Sequence, residues 1–385
     1  MKKLDDYANK PFDYIINEEE VRTYTLPELL TSKQGEKITS ADEWTKTRRP
    51  EILHDFAKYV YGAVPARFDG LEFHVKHECD FIPGRITLRT VEVKVKNQGK
   101  DFSFELYMYL PVEMKAPLRT FLLINNRFHP GQEMLSDNEF TPIRKIIDAG
   151  FAFAMFDCNF VATDKNKVLT PGIMELFPAE TTAPEGFGVI TAWVFAAMRC
   201  IDYFATVPEL NPGGTIVVGH SRGGKAALWT GANDVRVAQA CSNDSGCTGA
   251  AIARRKVGET IKDINNGFPH WFNENYKNFN DNEDALPVDQ HMLAALIAPR
   301  FVHVGSAIDD IWADPKGEYL SLIHAAPAFR LFGRKGLPEN STPVLDKLLM
   351  GDGMAYHIRR GGHNLGALDW DMYISSALNN GVICQ

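Results

Sequence analysis

The sequence predicts an α/β fold: a three-layer sandwich with a mostly parallel central sheet and an antiparallel hairpin on its N-terminal side. From residue 118 onward, apolar strand-like runs alternate with helical stretches. These runs are "RTFLLINN", "FAFAMFD", "GTIVVGHS" and "PRFVHVGSA". Near-continuous apolar strands separated by helices are typical of a parallel sheet that is buried on both faces. Residues 70–111 instead alternate between apolar and polar side chains, which indicates antiparallel strands with one exposed face.

The N-terminal part of the chain divides into a helical segment and a hairpin. We expect residues 1–65 to form a polar, mostly helical extension, because "SADEWTKTRRPEILHDFAKYVYG" starts with a capping signal and continues with helical spacing. Apolar and polar side chains alternate over residues 86–95, and the following "NQGK" predicts the turn of the hairpin. No stretch has the composition of a linker. Residues 1–385 are therefore predicted to form one domain, with the N-terminal extension packed on it.

Composition and charge argue against two classes of partner. The 385 residues are 45% hydrophobic and 23% charged, as in ordinary globular proteins. The formal net charge is −8 and Lys and Arg do not cluster, so we expect no nucleic-acid partner. No apolar run approaches the roughly eighteen residues of a membrane-spanning helix, so we expect no membrane partner. The start, "MKKLDDYANKPFDY", lacks the apolar segment of a signal peptide, which leaves the compartment open between the cytoplasm and export with a removed signal.

The cysteines show no metal-ligand spacing and no C-x-x-C pair. In a chain of this length, scattered cysteines are predicted to be free, buried thiols. A local bridge between Cys241 and Cys247 is the alternative that their short separation leaves open. The six cysteines are Cys79, Cys158, Cys200, Cys241, Cys247 and Cys384.

A G-x-S-x-G motif, Gly219 to Gly223, marks Ser221 as the candidate nucleophile. Glycines two residues before and after a serine permit the strained strand-to-helix turn that exposes its hydroxyl. The residues before the motif are strand-like, and "KAALWTGA" after it continues as a helix. The positive end of that helix would lie where an oxyanion develops. A structural glycine turn is the alternative reading.

A serine nucleophile needs a base and an acid, which in this architecture follow it in the order acid, then histidine. The late His363, on a glycine-flanked loop after "MAYHIRR", is the predicted base. For the acid there are two candidates: Asp310, at the end of "PRFVHVGSAIDD", and Asp244, at the end of the preceding strand. Asp310 is favoured by its later strand, but the sequence leaves both open.

Several ordered motifs resemble the glucuronoyl esterases, carbohydrate esterases of the α/β-hydrolase fold. The family signature G-[CH]-S-R-x-G-K stands here as Gly219–Lys225. The resemblance continues through "GETIKDINNGFPHWF", "LPVDQHMLAALIAPR", "DDIWADPKGEYL" and "YHIRRGGHNLGALDW" and is strong over about residues 185–375.

The resemblance implies an activity and a set of site residues. Members of the family cleave the ester between 4-O-methyl-glucuronic acid on xylan and alcohols of lignin. Carried onto this chain, Ser221 is the nucleophile, His363 the base and Asp310 or Asp244 the acid, since the family uses either acid position. The remaining implied residues are Arg222, which would stabilise the oxyanion, and Lys225, Glu259 and Trp312, which would bind the sugar.

Four positions depart from the family pattern. Fungal members have a disulfide between the residue before the serine and the residue beside the histidine, and His220 and Asn364 stand there in this chain. The protein therefore resembles the bacterial branch. Asp244 is shorter than the Glu frequent at its position, which weakens its expected reach to His363. Gly223 replaces a bulkier residue, which predicts a looser turn.

The residues and the resemblance together predict an esterase that needs no metal or cofactor, acts as a monomer and takes a uronic acid ester of plant polysaccharide. The resemblance further implies a secreted or periplasmic protein. Two alternatives stay open: an acetyl or other small-acyl carbohydrate esterase, and a catalytically silent carbohydrate-binding homologue.

Overall fold

A ten-stranded mixed sheet runs through the centre of the molecule. The structure is a computed structural model that describes residues 15–113, 117–127, 136–164, 172–338 and 340–380. The strand order across the sheet is β1-β2-β3-β5-β4-β6-β7-β8-β10-β9. The strands are β1 Gly70–Ile82, β2 Ile86–Asn97, β3 Lys100–Pro111, β4 Thr120–Asn125, β5 Ala152–Asp157, β6 Thr215–His220, β7 Val237–Asn243, β8 Phe301–Ala307, β9 Lys347–Met350 and β10 Met354–Arg359.

Strand directions confirm the predicted mixed sheet. The pairs β5–β4, β4–β6, β6–β7, β7–β8 and β8–β10 are parallel, and the pairs at the two edges of the sheet are antiparallel. The predicted hairpin is formed by β2 and β3, which pair from Ile86 with Pro111 to Asn97 with Lys100 around the "NQGK" turn. Since parallel strands end at the same edge, the residues that follow β4, β6, β7, β8 and β10 are brought together there.

Helices cover both faces of the sheet, as the α/β-hydrolase fold requires. Residues 41–61 are continuously helical: the short α-helical turn Ala41–Glu43 is followed by the π-helical turn Trp44–Arg48, then by α1 Arg49–Phe56, and then by the π-helical turn Ala57–Tyr61. The other α-helices are α2 Ile143–Asp148, α3 Cys158–Val161, α4 Pro178–Thr182, α5 Val189–Phe204, α6 Arg222–Asn233, α7 Ile261–Gly267, α8 Gln290–Ala295, α9 Pro315–Arg330 and α10 Ala367–Asn379. Short 3₁₀ turns lie at Glu18–Glu20, Ile173–Leu176, Pro212–Gly214, Ala253–Arg255, Glu274–Phe279, Glu283–Ala285 and Ile311–Ala313.

Alternate residues of the central strands enter two separate cores. In β4, Leu122 and Ile124 belong to the larger buried cluster, whereas Phe121 and Leu123 belong to the cluster on the other face. Because strand side chains alternate between faces, this division explains why β4 reads as a continuous apolar run. The large cluster includes α5 and α6, and the smaller one includes α2 and α10.

The predicted N-terminal extension is helical over only part of its described length. Residues 41–61 form the helical run that the capping signal indicates, and Ser40 with Glu43 makes the capping box. Residues 21–40 form turns and extended backbone instead, so the expectation of a mostly helical segment is wrong there. Pro27 and Gly35, which has a φ of 84°, account for the interruption. The organisation of residues 1–385 as one domain stays a prediction, which the packing of Tyr61 on Trp229 of α6 supports.

The five cysteines in the described residues are free. Four of them are buried, as predicted, and Cys79 is exposed. A bridge between Cys241 and Cys247 is excluded because their side chains belong to the cores on opposite faces of the sheet. Cys384 lies outside the described residues. Within those residues, no helix combines the length and the apolar character that crossing a membrane would demand.

Candidate active site

Ser221 lies in a strained turn between β6 and α6. Its φ of 57° and ψ of −124° place it in a region that non-glycine residues rarely adopt. The turn needs Gly219, since a Cβ atom there would lie 1.9 Å from the carbonyl oxygen of Gly223. At Gly223 a Cβ atom would lie 3.0 Å from the Ile124 carbonyl oxygen, so the end of β4 limits the space for a larger residue. The geometry is that of a nucleophile turn, as the motif predicts.

His363 is oriented by Asp310 at the same edge of the sheet. The Nδ1 atom of His363 lies 2.6 Å from Oδ2 of Asp310, which lies in the turn after β8. The His363 side chain is 43% exposed, whereas the Asp310 side chain is 7% exposed. A buried carboxylate on Nδ1 fixes the tautomer that leaves Nε2 free to accept a proton.

The His363 ring lies beside the strand that carries the serine. Its centroid is 4.5 Å from the ring centroid of His220, the residue directly before Ser221. The hydrogen bonds of the described residues do not include one between the Ser221 hydroxyl and His363. In unliganded hydrolases this bond commonly tightens when substrate binds.

Asp244 belongs to the same cluster but contacts different groups. Its Oδ2 atom accepts hydrogen bonds from Nη2 of Arg359 at 3.0 Å and from the backbone N–H of Asn364 at 3.2 Å. Burial, and next the negative charge of Asp310, raise the pKa of the Asp244 carboxyl well above its ordinary value. Asp244 therefore holds the loop that carries His363, while Asp310 contacts the imidazole itself.

Asp244, Asp310 and His363 are also the group whose ligand atoms could reach one cation in the described part of the chain. These atoms lie within 4.8 Å of one another. The short Asp310–His363 hydrogen bond and the Arg359 guanidinium on Asp244 already engage them, which favours proton transfer over metal binding. That the protein needs no metal or cofactor stays a prediction.

Arg222 directs its guanidinium toward Asp164, a residue that sequence reasoning did not identify. An Nη1–H of Arg222 donates to the buried Asp164 carboxylate. The same carboxylate accepts from His270 Nε2 at 2.9 Å and Trp271 Nε1 at 2.6 Å. The guanidinium carbon of Arg222 lies 5.6 Å from the Trp271 ring centroid. Trp271 falls in the quoted "GFPHWF" motif, but no pattern around Asp164 marks it.

The three predicted sugar-binding residues meet at Glu259, which contacts both Lys225 and Trp312. Lys225 is 3% exposed and its ammonium donates to the carbonyl oxygens of Ser245 and Cys247. Its Nζ atom lies 3.6 Å from Oε2 of Glu259. Trp312 hydrogen-bonds the Glu259 carboxylate through its side chain, and its carbonyl oxygen accepts from the Glu259 N–H at 3.0 Å. Burial raises the pKa of Glu259.

Glu318 of α9 connects the loop after β7, which carries Asp244, to β8, which leads to Asp310. Its Oε1 atom accepts from the N–H groups of Ser245 and Gly246 at 2.8 and 2.9 Å, and its Oε2 atom accepts from the Ser306 hydroxyl at 2.5 Å. Burial raises the pKa of Glu318 to about 7, against an ordinary value of 4.5.

Glu318 makes the stability of the protein depend on pH. Between pH 4.5 and about 7 the folded protein binds a proton that the unfolded chain has lost, so the free energy of unfolding falls as pH rises through this window. The shift corresponds to about 3 kcal/mol. We expect Glu318→Gln, which keeps the acceptor for the two N–H groups, to remove this loss. Melting temperatures of the wild type and of Glu318→Gln between pH 4.5 and 7.5 measure this loss. If the two melting temperatures changed with pH in parallel, the assignment of the pH dependence to Glu318 would be contradicted.

The comparisons with known proteins agree with this geometry. A family model described as "Glucuronyl esterase, fungi" matches residues 93–333. A carbohydrate esterase of an unknown prokaryotic organism is 35% identical over 97% of this chain and 93% of its own length. A 4-O-methyl-glucuronoyl methylesterase of Schizophyllum commune is 27% identical over 82% of this chain and 75% of its own length.

Solved structures extend the similarity to the whole fold. A glucuronoyl esterase structure from Solibacter usitatus superposes with a TM-score of 0.88 at 35% identity, over 95% of this chain and 100% of that chain. The identity of 35% to the prokaryotic esterase and to the Solibacter usitatus structure, against 27% to the Schizophyllum commune enzyme, agrees with the bacterial type that His220 and Asn364 indicate. The chain belongs to the glucuronoyl esterase family of carboxylic ester hydrolases.

Proposed function

We propose that the protein hydrolyses esters of 4-O-methyl-glucuronic acid through an acyl-enzyme on Ser221. The observation that carries this proposal is the meeting of two sets of residues at one edge of the sheet. One set is Ser221 in its strained turn with the His363–Asp310 pair, and the other is the buried group of Lys225 and Glu259 beside it. The first set supplies ester chemistry, and the second supplies hydrogen bonds for a polyhydroxylated acyl group.

In the acylation step, Nε2 of His363 takes the proton of the Ser221 hydroxyl while the oxygen attacks the ester carbonyl carbon. Asp310 stabilises the imidazolium that forms, because its carboxylate lies 2.6 Å from Nδ1. His363 then gives the proton to the departing alcohol oxygen. A water molecule, deprotonated by His363, attacks the acyl-enzyme and releases the uronic acid and Ser221.

We assign stabilisation of the oxyanion to Arg222 and to the N–H groups at the start of α6. The Asp164 carboxylate and the Trp271 ring hold the guanidinium beside Ser221. Among the described residues, the buried Nε atom of Arg222 has no hydrogen-bond partner. The positive charge that the guanidinium holds beside Ser221 favours the negative charge that develops on the carbonyl oxygen, where a preorganised cation contributes most.

We assign recognition of the sugar ring to Lys225, Glu259 and Trp312. Two N–H groups of Lys225 are used by carbonyl oxygens, and the 3.6 Å separation from Glu259 exceeds a hydrogen bond. We propose that the third N–H, which faces Glu259 in the unliganded protein, donates to a sugar hydroxyl, while Glu259 accepts a hydroxyl proton. Trp312 offers an apolar face to the C–H surface of the ring.

The alcohol part of the natural ester and the oligomeric state of the enzyme are also proposals. Family members act on methyl glucuronate esters, as the names of the relatives state. We extend this to lignin alcohols on glucuronoxylan and to a monomeric enzyme. The support for the lignin alcohol is the family resemblance, and the support for the monomer is that one chain supplies every proposed site residue.

Hydrolysis of a benzyl glucuronate ester, compared with an acetylated sugar and an aryl acetate, tests this function. We expect kcat/KM for the glucuronate ester to exceed that for both acetates. Lys225→Met is expected to weaken hydrolysis of the glucuronate ester and to leave aryl acetate hydrolysis nearly unchanged, because acetate has no hydroxyl to bind. Turnover of acetates alone would overturn the proposal, and turnover of no ester would favour a silent carbohydrate-binding protein.

A further inference from the structure

Arg127, directly after β4, connects the two loops that carry Ser221 and His363. Its Nη2 atom donates to Nε2 of His220 at 3.1 Å, and its Nη1 atom donates to Oδ1 of Asn364 at 2.7 Å. His220 directly precedes Ser221, and Asn364 directly follows His363. One guanidinium therefore spans the residues adjoining the nucleophile and the base.

Arg127 is an exposed residue, and two further contacts help to hold it in this position. The Phe140 ring centroid lies 4.6 Å from the guanidinium carbon, and the Arg127 backbone N–H donates to Oδ1 of Asn125 at 2.9 Å. Because the guanidinium is planar, with its N–H groups in a fixed arrangement, two simultaneous hydrogen bonds define the distance between its partners. A lysine ammonium in its place would have no such fork.

The hydrogen bond from Arg127 also determines the state of His220. An arginine can only donate, so Nε2 of His220 accepts and its proton is on Nδ1, where Oδ1 of Asn243 accepts it at 2.6 Å. Burial, and next the charges on His363 and Arg127, lower the pKa of His220 well below its ordinary value. His220 is thus a neutral neighbour for the imidazolium that forms on His363 during the reaction.

Asn364 is held on three sides. Besides Arg127 at its side chain, the Asp244 carboxylate accepts from its backbone N–H, and Arg359 donates to its carbonyl oxygen. Asp244 and Arg359 attach this loop to β7 and β10, whereas Arg127 attaches it to the residue before the nucleophile. Arg127 therefore adds a hydrogen-bonded link between the His363 loop and the Ser221 turn, beside the direct contact of the His220 and His363 rings.

We propose that Arg127 is a positioning residue that holds His363 in line with Ser221 by bridging His220 and Asn364. This inference rests on the proposed roles of Ser221 as nucleophile and His363 as base. Arg127 does not touch the reacting atoms in this arrangement. Its loss allows the imidazole to move relative to the hydroxyl, and displacements of about 1 Å in a catalytic pair lower rates by about a hundredfold.

Kinetics of Arg127→Ala and Arg127→Lys on the benzyl glucuronate ester test the proposal. We expect kcat to fall by about tenfold to a hundredfold in Arg127→Ala, with KM changed by less than about threefold, and a smaller fall in Arg127→Lys. Arg144→Ala is the matched control, because Arg144 pairs with Asp137 on the surface and is expected to leave kcat unchanged. An unchanged kcat in Arg127→Ala, or a change confined to KM, would overturn the proposal.

A double-mutant cycle and a serine-reactive probe separate positioning from a general loss of structure. Asn364→Ala is expected to give a similar fall in kcat, and the double variant no further fall, because both changes break one bridge. The rate at which a fluorophosphonate labels Ser221 should fall in parallel. Additive losses, or labelling of Arg127→Ala at the wild-type rate, would contradict the inference. Labelling needs only Ser221 and His363, so it also tests Arg127 if the wild type fails to hydrolyse glucuronate esters.

Discussion

Replacing Ser221 with alanine is expected to lower kcat for the glucuronate ester by at least about a thousandfold. The variant keeps the oxyanion donors and the sugar pocket but has no atom that can form the acyl-enzyme. Relief of the backbone strain at φ 57° is not expected, since alanine also disfavours this region, so the melting temperature should change little. Steady-state kinetics and thermal unfolding measure both effects.

Ser103→Ala is a suitable control for the Ser221 variant. Ser103 lies on β3 opposite Lys94, outside the cluster of site residues, and its loss is expected to leave kcat unchanged. If Ser221→Ala retained more than about a tenth of wild-type kcat, the nucleophile assignment would be wrong.

The second large effect is expected from Asp310→Asn, which should lower kcat by about a thousandfold to ten-thousandfold. The amide cannot stabilise the imidazolium, and its NH₂ group favours the tautomer in which Nδ1 accepts and Nε2 carries the proton. KM should change little, because the Asp310 carboxylate acts on the imidazole of His363, to which it is hydrogen-bonded. A changed pH dependence of kcat indicates that the acid of the triad has been lost, whereas a partly misfolded variant shows a lower kcat with the wild-type pH dependence.

Asp244→Asn is the matched variant that decides between the two acids. It removes the charge opposite Arg359 but keeps an acceptor for the Asn364 N–H, so we expect a lower melting temperature and a smaller fall in kcat than for Asp310→Asn. A larger loss of kcat in Asp244→Asn would identify Asp244 as the working acid.

Sequence patterns were sufficient for the features that depend on local residues. The apolar runs predict β4, β5, β6 and β8 because each of these strands is buried on both faces, and the "NQGK" turn predicts the β2–β3 hairpin. The strained conformation of Ser221 follows from its flanking glycines, since Gly219 leaves no room for a Cβ atom. The prediction of a mostly helical segment is wrong for residues 21–40 because the helical signal begins only at Ser40.

The choice between acids and the second layer of the site depend on contacts that no local pattern encodes. Asp244 and Asp310 both follow parallel strands, so both lie at the same edge of the sheet. Only the direction of each side chain decides which of them contacts His363. No motif marks Asp164, after β5, or Arg127, after β4. Asp164 nevertheless holds Arg222, which is 58 positions away in the chain. Arg127 holds the His363 loop through Asn364, which is 237 positions away. Such long-range hydrogen bonds appear only once the sheet order is known.

Trapping the acyl-enzyme tests the central claim most directly. An aryl ester of glucuronic acid has a good leaving group, which speeds acylation relative to deacylation and lets the intermediate accumulate. After rapid mixing and acid quenching, peptide mapping by mass spectrometry is expected to find a glucuronoyl ester on Ser221, and none in Ser221→Ala. A glucuronoyl adduct on a different residue, or a burst of alcohol release that persists in Ser221→Ala, would contradict the account.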